Sequence, residues 1–392
     1  MKPTLYRGSV KDVKGPVRAS TPRGERDGVV FDYTDAYSVF DWGRMPDLLA
    51  RKGEALASLA ASLFERIERP DTWVQFSKTP IALALRKGNR FGAAFNELGE
   101  QLQKSGMRTH YQGLLADGKA GPAADAREPS RELFVEQVAV VKPAMVSILG
   151  RELPDYSPTR SAPAPRLVPL EVIFRFSCPA GSSLLDRAKD DPGYLASIGY
   201  GDLELKPGAS WDFPVLEVFT KLESSDRPLS LGEGLAISGL AARQLEELLL
   251  KTAWLAGCLR WICSQTGLEL ADGKFEWALS ADGTIFLVDA IGPDELRLLK
   301  DGVQLSKEFL RTHYRATPWY RRVVEAKKNA QAQGSAEWKK LVAEGPPTLP
   351  AAERELATQL YLSLANALSG RAWFPGAWPL EKVVAELGRK AP

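Results

Sequence analysis

The stretch "KFEWALSADGTIFLVDAIGPDELR", residues 274–297, reads as two short β-strands around an Asp-Gly turn. Asp282-Gly283 favours a two-residue type I′ loop, in which both central residues take positive φ. That register predicts Glu276 opposite Asp289, and period-two alternation puts Lys274 on the same face as Glu276. Like charges directly opposed on a sheet are unfavourable, and a divalent cation would relieve the cost. Two carboxylates completed by phosphate oxygens and waters are a suitable coordination set for Mg²⁺. A solvated hairpin face with Lys274 bridging the acids fits the same spacing, so the pattern alone leaves both readings open.

Upstream of the hairpin, "LEELLLKTAWLAGCLRWICSQ" repeats at helical spacing and carries Glu246, Glu247, Lys251 and Arg260. It predicts one long core helix over 233–266, and its charges argue against a membrane span. Earlier still, "SPTRSAPAPRLVPL" is Pro-rich and leads into the strand "LEVIFRF". A lobe boundary near residue 166 follows, with a sheet-rich nucleotide-binding lobe over 1–166. The second lobe, 167–392, is expected to be α/β, with metal and substrate sites and C-terminal helices. In the first lobe, residues 4–42 read as strands, and "EALASLAASLFERIER" puts Leu56, Leu59, Ala60, Leu63 and Ile67 on one helical face before Pro70. "ADGKAGPAADAREPS", 116–130, reads as an exposed connection. Beyond the hairpin, "LSKEFLRTHYRA", "SAEWKKLVAEG" and "AERELATQLYLSLANAL" read as helices. The whole is an α+β pattern of two lobes with a cleft between them.

With 392 residues, 44% hydrophobic and 26% charged, the chain can bury a substantial core. Its 51 basic and 49 acidic side chains leave a net charge of +2, which supplies no bulk attraction to nucleic acid or membrane. Cys178, Cys258 and Cys263 have no zinc or disulfide spacing and read as buried thiols. The N-terminus lacks the apolar run of a signal peptide, so a cytoplasmic protein is expected. No G-x-S-x-G, H-E-x-x-H or C-x-x-C occurs, which leaves nucleophilic triads and zinc chemistry without support. His110 and His313 read as surface or structural residues.

Three other segments carry chemistry. "LYRGSVKDV" offers Gly8, Ser9 and Lys11 at a strand-turn-strand where backbone N–H groups and an ammonium could meet phosphates. "DYTDAYSVFDWG" gathers Asp32, Asp35, Ser38 and Asp41 among aromatics, either as a substrate loop or as turn and cap residues. "RFSCPAGSSLLDR" places Arg175 before Gly181, Ser182 and Ser183, which suits an anion site or a helix N-cap.

Taken in order, these segments resemble the SAICAR synthetase (phosphoribosylaminoimidazole-succinocarboxamide synthase) family. "LYRGSVKDV" is similar to its LYxGKxKxV, "YTDAYSVFDWG" to SDRxSAFD, and "PLEVIFRFSCPAGSS" to PLEVVVRxxxxGS. "FPVLEVFTKLESSDRPLS" resembles its TKxxxxDxP region, and the opening stretch resembles DxKxEFG…DExxxPDxxR. The resemblance spans nearly the whole chain. It implies a two-lobed fold with a kinase-like ATP cleft and Mg-ATP-dependent joining of a carboxylated aminoimidazole ribotide to aspartate through an acyl phosphate. Glu276 and Asp289 would then hold Mg²⁺ on ATP, with Lys274 and Asp294 at the reacting groups. Gly8, Ser9 and Lys11 would cover the phosphates, and Leu167 would border the adenine. Lys221 and Asp226 would lie near aspartate or the nucleotide phosphates. Arg175, Gly181, Ser182 and Arg297 would clamp the ribotide phosphate, and Asp35, Ser38, Asp41 and Lys52 would belong to ribotide-facing loops.

The resemblance departs at several points. Ser9 replaces the first lysine of GKxK, Ala290 replaces an acid after Asp289, and Glu295-Leu296 replace small residues of the PDxxR segment. One extra residue separates Arg175 from the Gly-Ser turn. A paralogous ligase with another acid and amine, or a non-catalytic nucleotide-binding protein, are the alternatives these changes motivate. Small-molecule substrates are the expected partners, with no nucleic acid or membrane and with a homo-oligomer left open.

Overall fold

A computed structural model describes residues 2–116, 118–179, 182–223, 225–332 and 337–390. The chain forms two compact units, each assembled from separated segments. Met1–Glu65, Tyr111–Gln137 and Ile291–Pro392 make the first; Arg66–His110 and Val138–Ala290 make the second. The expected boundary near residue 166 thus falls inside the second unit. Chain order and packing order part company because apolar helical faces from 66–110 pack with the later sheet. Trp254 stacks on Phe95 at 4.6 Å, and its indole N–H donates to the Phe95 carbonyl.

The first unit is built on a six-stranded sheet. Its order is Thr4–Arg7, Lys11–Thr21, Gly24–Tyr33, Glu132–Val135, Tyr111–Ala116 and Lys119–Gly121. The last strand also pairs parallel with Lys11–Thr21 at Ser20 and Lys119, which curls the sheet toward closure. Ala19, Val30, Leu115, Ala120 and Phe134 fill its interior. Residues 116–130 are therefore not a plain exposed connection, since Ala120 and Ala123 are buried and Lys119–Gly121 is a strand. Alanine and glycine in that segment look loop-like in sequence, but their small size suits close strand packing.

Gly28 shows how tight this sheet is. A Cβ there would fall well inside contact distance of the Val135 carbonyl oxygen and the Phe134 ring. Gly28→Ala should lower stability by roughly 1–3 kcal/mol, the usual cost of overpacking. A denaturation midpoint equal to wild type would refute that close approach.

Helix Lys52–Glu68 buries Leu56, Leu59, Ala60, Leu63 and Ile67 as its periodicity predicts. Leu296–Lys300 and Val303–Gln304 pair as a short hairpin, followed by helices Glu308–Arg315, Pro318–Ala332, Ala351–Ser369 and Leu380–Gly388. The expected helix at "SAEWKKLVAEG" begins outside the described residues and yields only a 3₁₀ turn at Trp338–Leu341.

The second unit carries an antiparallel sheet in the order Pro228–Leu229, Ala209–Thr220, Arg166–Cys178, Glu269–Leu279 and Ile285–Val288. Arg166–Cys178 is buried along nearly its whole length. Helix Ala242–Ser264 packs against the sheet, and Leu248, Thr252, Leu255, Ala256 and Leu259 are among its buried residues. The helix expected over 233–266 is two helices, because Leu231–Ser238 ends at Gly239 in left-handed conformation (φ 67°). The Arg166 guanidinium donates to the carbonyls of Ser238 and Gly239 and satisfies that end. Among the described residues, no helix is long and apolar enough to cross a membrane. The three cysteines are free and buried, and burial pushes the Cys263 thiol up to about 12.

Candidate functional site

The opening hairpin forms, but its register differs from the expected one by one residue. Glu276 pairs with Val288, and Leu279 with Ile285. Ser280 N–H donates to the Thr284 carbonyl, so three residues, 281–283, form the loop. Only Gly283 among them takes positive φ (82°). Asp282 accepts from the Ser280 hydroxyl and the Thr284 N–H, which holds it out of the left-handed region that a type I′ turn requires. Asp289 consequently lies one residue past the strand, with φ 71°.

That left-handed turn takes Asp289 out of the strand's alternation, and its charge then acts on Glu276, Lys221 and Lys274. Arg108 and His110 hold the outer side of this strand through backbone bonds with Leu287. The His110 Nε2–H donates to the Asp289 carbonyl at 3.0 Å. His110 is buried, so it is not the surface residue that the sequence reading allows.

A third carboxylate, Glu171, completes the cluster. It sits opposite Glu276 on the adjacent strand Arg166–Cys178. Lys274 Nζ lies 2.7 Å from Glu171 Oε2 and 3.5 Å from Glu276 Oε1. Lys221 Nζ lies 3.2 Å from Glu171 and 2.7 Å from Glu276. Two ammonium groups thus separate carboxylates that the sheet register would otherwise leave in repulsion. Glu171 escapes sequence reasoning because "LEVIFRF" reads as an apolar strand with one incidental acid. The pairing of two distant strands is what places it.

The electrostatics divide the acids. Desolvation opposes ionisation of Glu171, but Lys274 and Lys221 outweigh it and hold its carboxyl below the usual range. Desolvation raises Glu276, and repulsion from Asp289 raises it further against the pull of the lysines. Burial disfavours the charged form of Lys274, yet Glu276, Glu171 and Asp289 keep it protonated well above its ordinary range. A cation held by Glu276 and Asp289 would remove the repulsion between them, so this pair fits Mg²⁺. No group of three or more His, Cys, Asp or Glu that could hold a metal occurs among the described residues. The remaining coordination would come from phosphate oxygens and water.

Leu167 joins Ala278, Phe286 and Val288, with Val138 and Leu222 against them, in an apolar cluster of the second unit. Its N–H donates to the Ala139 carbonyl at 2.8 Å. Asp226 is exposed between Ala209–Thr220 and Pro228–Leu229.

Arg175 requires a correction. Expected as a phosphate clamp, it is buried, with Nε 2.5 Å from Glu217 Oε2 and Nη1 3.3 Å from Asp272 Oδ2. Arg187 and the Tyr194 hydroxyl donate to the other Glu217 oxygen. Glu217 has no exposed surface, so the guanidinium is committed to balancing a charge that water cannot reach. Ser182 is the N-cap of helix Ser183–Asp190 without a side-chain capping bond, and its buried hydroxyl has no hydrogen-bond partner among the described residues. A buried hydroxyl without a partner is costly and fits an anion acceptor. Gly181 lies outside the described residues.

In the first unit, Gly8, Ser9 and Val10 form the turn between the first two strands. Gly8 N–H donates to the Lys11 carbonyl, and a Cβ at Gly8 would collide with that oxygen. Ser9 is exposed, and Lys11 Nζ lies 4.6 Å from the Phe31 ring centroid. Asp35 Oδ1 accepts from Gly53 N–H in the first turn of helix Lys52–Glu68. Ser38 is half-buried, and Asp41 is exposed in an ion pair with Lys327. Phe40 and Asp41 both have positive φ (54° and 63°), a strained arrangement for residues with side chains. Lys52 has no exposed surface and donates to Asp294 Oδ2 at 2.7 Å. Asp294 is pushed down to about 2: desolvation opposes the shift, but Lys52 and Lys307 overcome it. Arg297 is half-buried in strand Leu296–Lys300. Leu296 is buried, which explains an apolar residue at that departure, whereas Glu295 is half-buried beside it.

A family model described as SAICAR synthetase matches residues 4–326. An Archaeoglobus fulgidus relative, whose name assigns it provisionally as a phosphoribosylaminoimidazole-succinocarboxamide synthase, is 34% identical over 382 residues, covering 97% of this chain and 98% of its own. A Thermoplasma volcanium phosphoribosylaminoimidazole-succinocarboxamide synthase is 24% identical, covering 94% and 99%. The structure titled SAICAR-synthase from Saccharomyces cerevisiae complexed SAICAR matches with a TM-score of 0.53 at 19% identity, covering 95% of this chain and 96% of that one. That similarity supports the α+β fold, and the family match and full-length relative support the lineage. The chain belongs to the SAICAR synthetase family.

Proposed function

We propose that this protein is a Mg-ATP-dependent carboxylate–amine ligase that joins carboxyaminoimidazole ribotide to aspartate, giving SAICAR in purine biosynthesis. Family membership supports the reaction class. The observation that carries the reading is the cluster of buried Glu171 and Glu276 with half-buried Lys221 and Lys274, and Asp289 beside it.

A carboxylate is a poor electrophile. Transfer of the γ-phosphoryl group of ATP to a carboxylate oxygen releases ADP and leaves an acyl phosphate. The aspartate amine then attacks the carbonyl carbon, phosphate departs, and the nitrogen loses a proton to leave the amide. Positioning and charge neutralisation dominate such chemistry. Mg²⁺, held by Glu276 and Asp289, would neutralise phosphate charge. Lys274 and Lys221 remain protonated in their acidic surroundings and supply fixed positive charge for the phosphoryl oxygens. Leu167 and its apolar neighbours suit an adenine, and the Gly8–Lys11 turn suits the phosphates. Ser182 and Arg297 suit the ribotide phosphate, with Arg175 supporting the local structure. Lys52, Asp35, Ser38 and Asp41 shape ribotide-side loops, and Asp226 is assigned to the aspartate side. Asp294 is ionised at neutral pH and so serves as a fixed negative charge and not as a proton carrier. The working surroundings are expected to be cytoplasmic, with small-molecule partners and neither nucleic acid nor membrane.

ADP release should require both carboxyaminoimidazole ribotide and aspartate. Release with neither dependence would refute the substrate assignment. Glu295 and Leu296 favour one second reading, the same ligase chemistry on another acid and amine; turnover of a ribotide analogue in preference to carboxyaminoimidazole ribotide would identify it.

A further inference from the structure

The family match ends at residue 326, yet the chain continues into helix Ala351–Ser369, which is buried on most of its faces. Tyr361 lies in the middle of that helix and is buried. Its hydroxyl donates to Asp294 Oδ1 at 2.6 Å, while Lys52 Nζ donates to Oδ2 at 2.7 Å. The Lys52 ammonium also lies 4.7 Å from the Tyr361 ring centroid. Each oxygen of Asp294 therefore has a donor, one from within the family-matched region and one from beyond it. Asp294 sits in a tight turn in which Glu295 and Leu296 N–H groups donate to the Gly292 carbonyl. Arg297 follows directly on the strand that this turn launches.

Burying a carboxylate demands that both oxygens be satisfied. Lys52 holds one oxygen, and Lys307 adds positive charge nearby. The tyrosine hydroxyl holds the other oxygen, and its burial within the helix leaves it little freedom of its own.

We propose that Tyr361 is a positioning residue for the turn 292–297, so that the C-terminal helix is a working part of the ribotide side of the site. This rests on the proposed function, which assigns Arg297 and Asp294 to that side. Tyr361 acts through Asp294 and is not assigned a contact with substrate. Residues beyond the family-matched region thus take part in setting ribotide affinity.

Two variants separate positioning from mere stability. Tyr361→Phe keeps the ring, its packing and its contact with Lys52, and deletes only the donor to Asp294. Ser363→Ala deletes another buried hydroxyl on the same helix, one that donates to the Trp378 carbonyl at 2.5 Å. In the full-length protein, Tyr361→Phe should speed amide hydrogen exchange across 291–297 and raise the KM for ribotide roughly 10-fold, as loss of a charge-assisted hydrogen bond predicts. Its KM for ATP should stay within about two-fold of wild type, and Ser363→Ala should alter neither ribotide KM nor exchange in that segment. Equal exchange in the two variants, or an unchanged ribotide KM in Tyr361→Phe, overturns the proposal. A wild-type enzyme inactive on carboxyaminoimidazole ribotide would refute the proposed function instead, and exchange over 291–297 would then decide the positioning role by itself.

Discussion

Glu276→Gln should cut kcat/KM for ADP release by at least about 10³-fold and leave the fold intact, the magnitude expected when an electrostatic contact to the reacting phosphates is removed. The fold survives because glutamine keeps the size of Glu276, and burial with repulsion from Asp289 already works against the charge it removes. Lys221 and Lys274 keep Glu171 as a counter-ion at 3.2 and 2.7 Å. Turnover falls because an amide oxygen is a much weaker ligand for a divalent cation than a carboxylate. Two measurements check this: the Mg²⁺ concentration needed for half-maximal rate, which should rise steeply, and the thermal midpoint, which should stay near wild type. Turnover within ten-fold of wild type would sink the metal assignment.

The largest stability loss is expected from Lys52→Met. It removes the ammonium from a largely buried carboxylate that keeps the Tyr361 hydroxyl as a donor and the charge of Lys307 nearby. Stranding a buried charge costs about 3–5 kcal/mol, whereas replacing both partners by uncharged groups costs far less. Lys52→Met combined with Asp294→Asn should therefore recover much of the loss, read as a double-mutant cycle by urea denaturation. Additive losses in the two single variants would show that the pair is not coupled.

The pH dependence follows from the same pair. In the wild type, the folded value of Asp294 lies near 2, below the ordinary carboxylate value of 3.8. Its stabilising contribution is fully present above that ordinary value and is lost as pH falls toward 2. Without Lys52 the main depressing charge is gone and desolvation dominates, so the carboxyl value moves up. The Lys52→Met deficit should then shrink on acidification, as the stranded carboxylate takes up a proton. A deficit that grows between pH 7 and pH 4 would contradict this account.

Local chemistry made much of this protein legible in its sequence. The stripe of Leu56, Leu59, Ala60, Leu63 and Ile67 declared a helix, and the buried residues of Ala242–Ser264 declared a core helix. The collinear segments declared the family, and strand alternation put Lys274 on the face of Glu276. Each signal depends on residues close in sequence, where helix period, strand alternation and turn preference act.

Tertiary structure decided what those rules cannot reach. Asp282 has the local signature of a left-handed turn residue, but its side-chain bonds to Ser280 and Thr284 shift the hairpin register by one. Glu171 entered the cluster only through pairing with a strand about a hundred positions away. The motif around Arg175 suits a clamp for phosphate, yet Glu217 and Asp272 claim its guanidinium. The division into units ignored the Pro-rich boundary because helices from 66–110 bury their apolar faces against a later sheet. Tyr361 shows the same limit, since nothing near it in sequence announces that its hydroxyl meets Asp294. Sequence determined which elements form and what chemistry they carry. Long-range packing decided which charges meet, because a buried charge takes whichever partner the assembled core brings within reach.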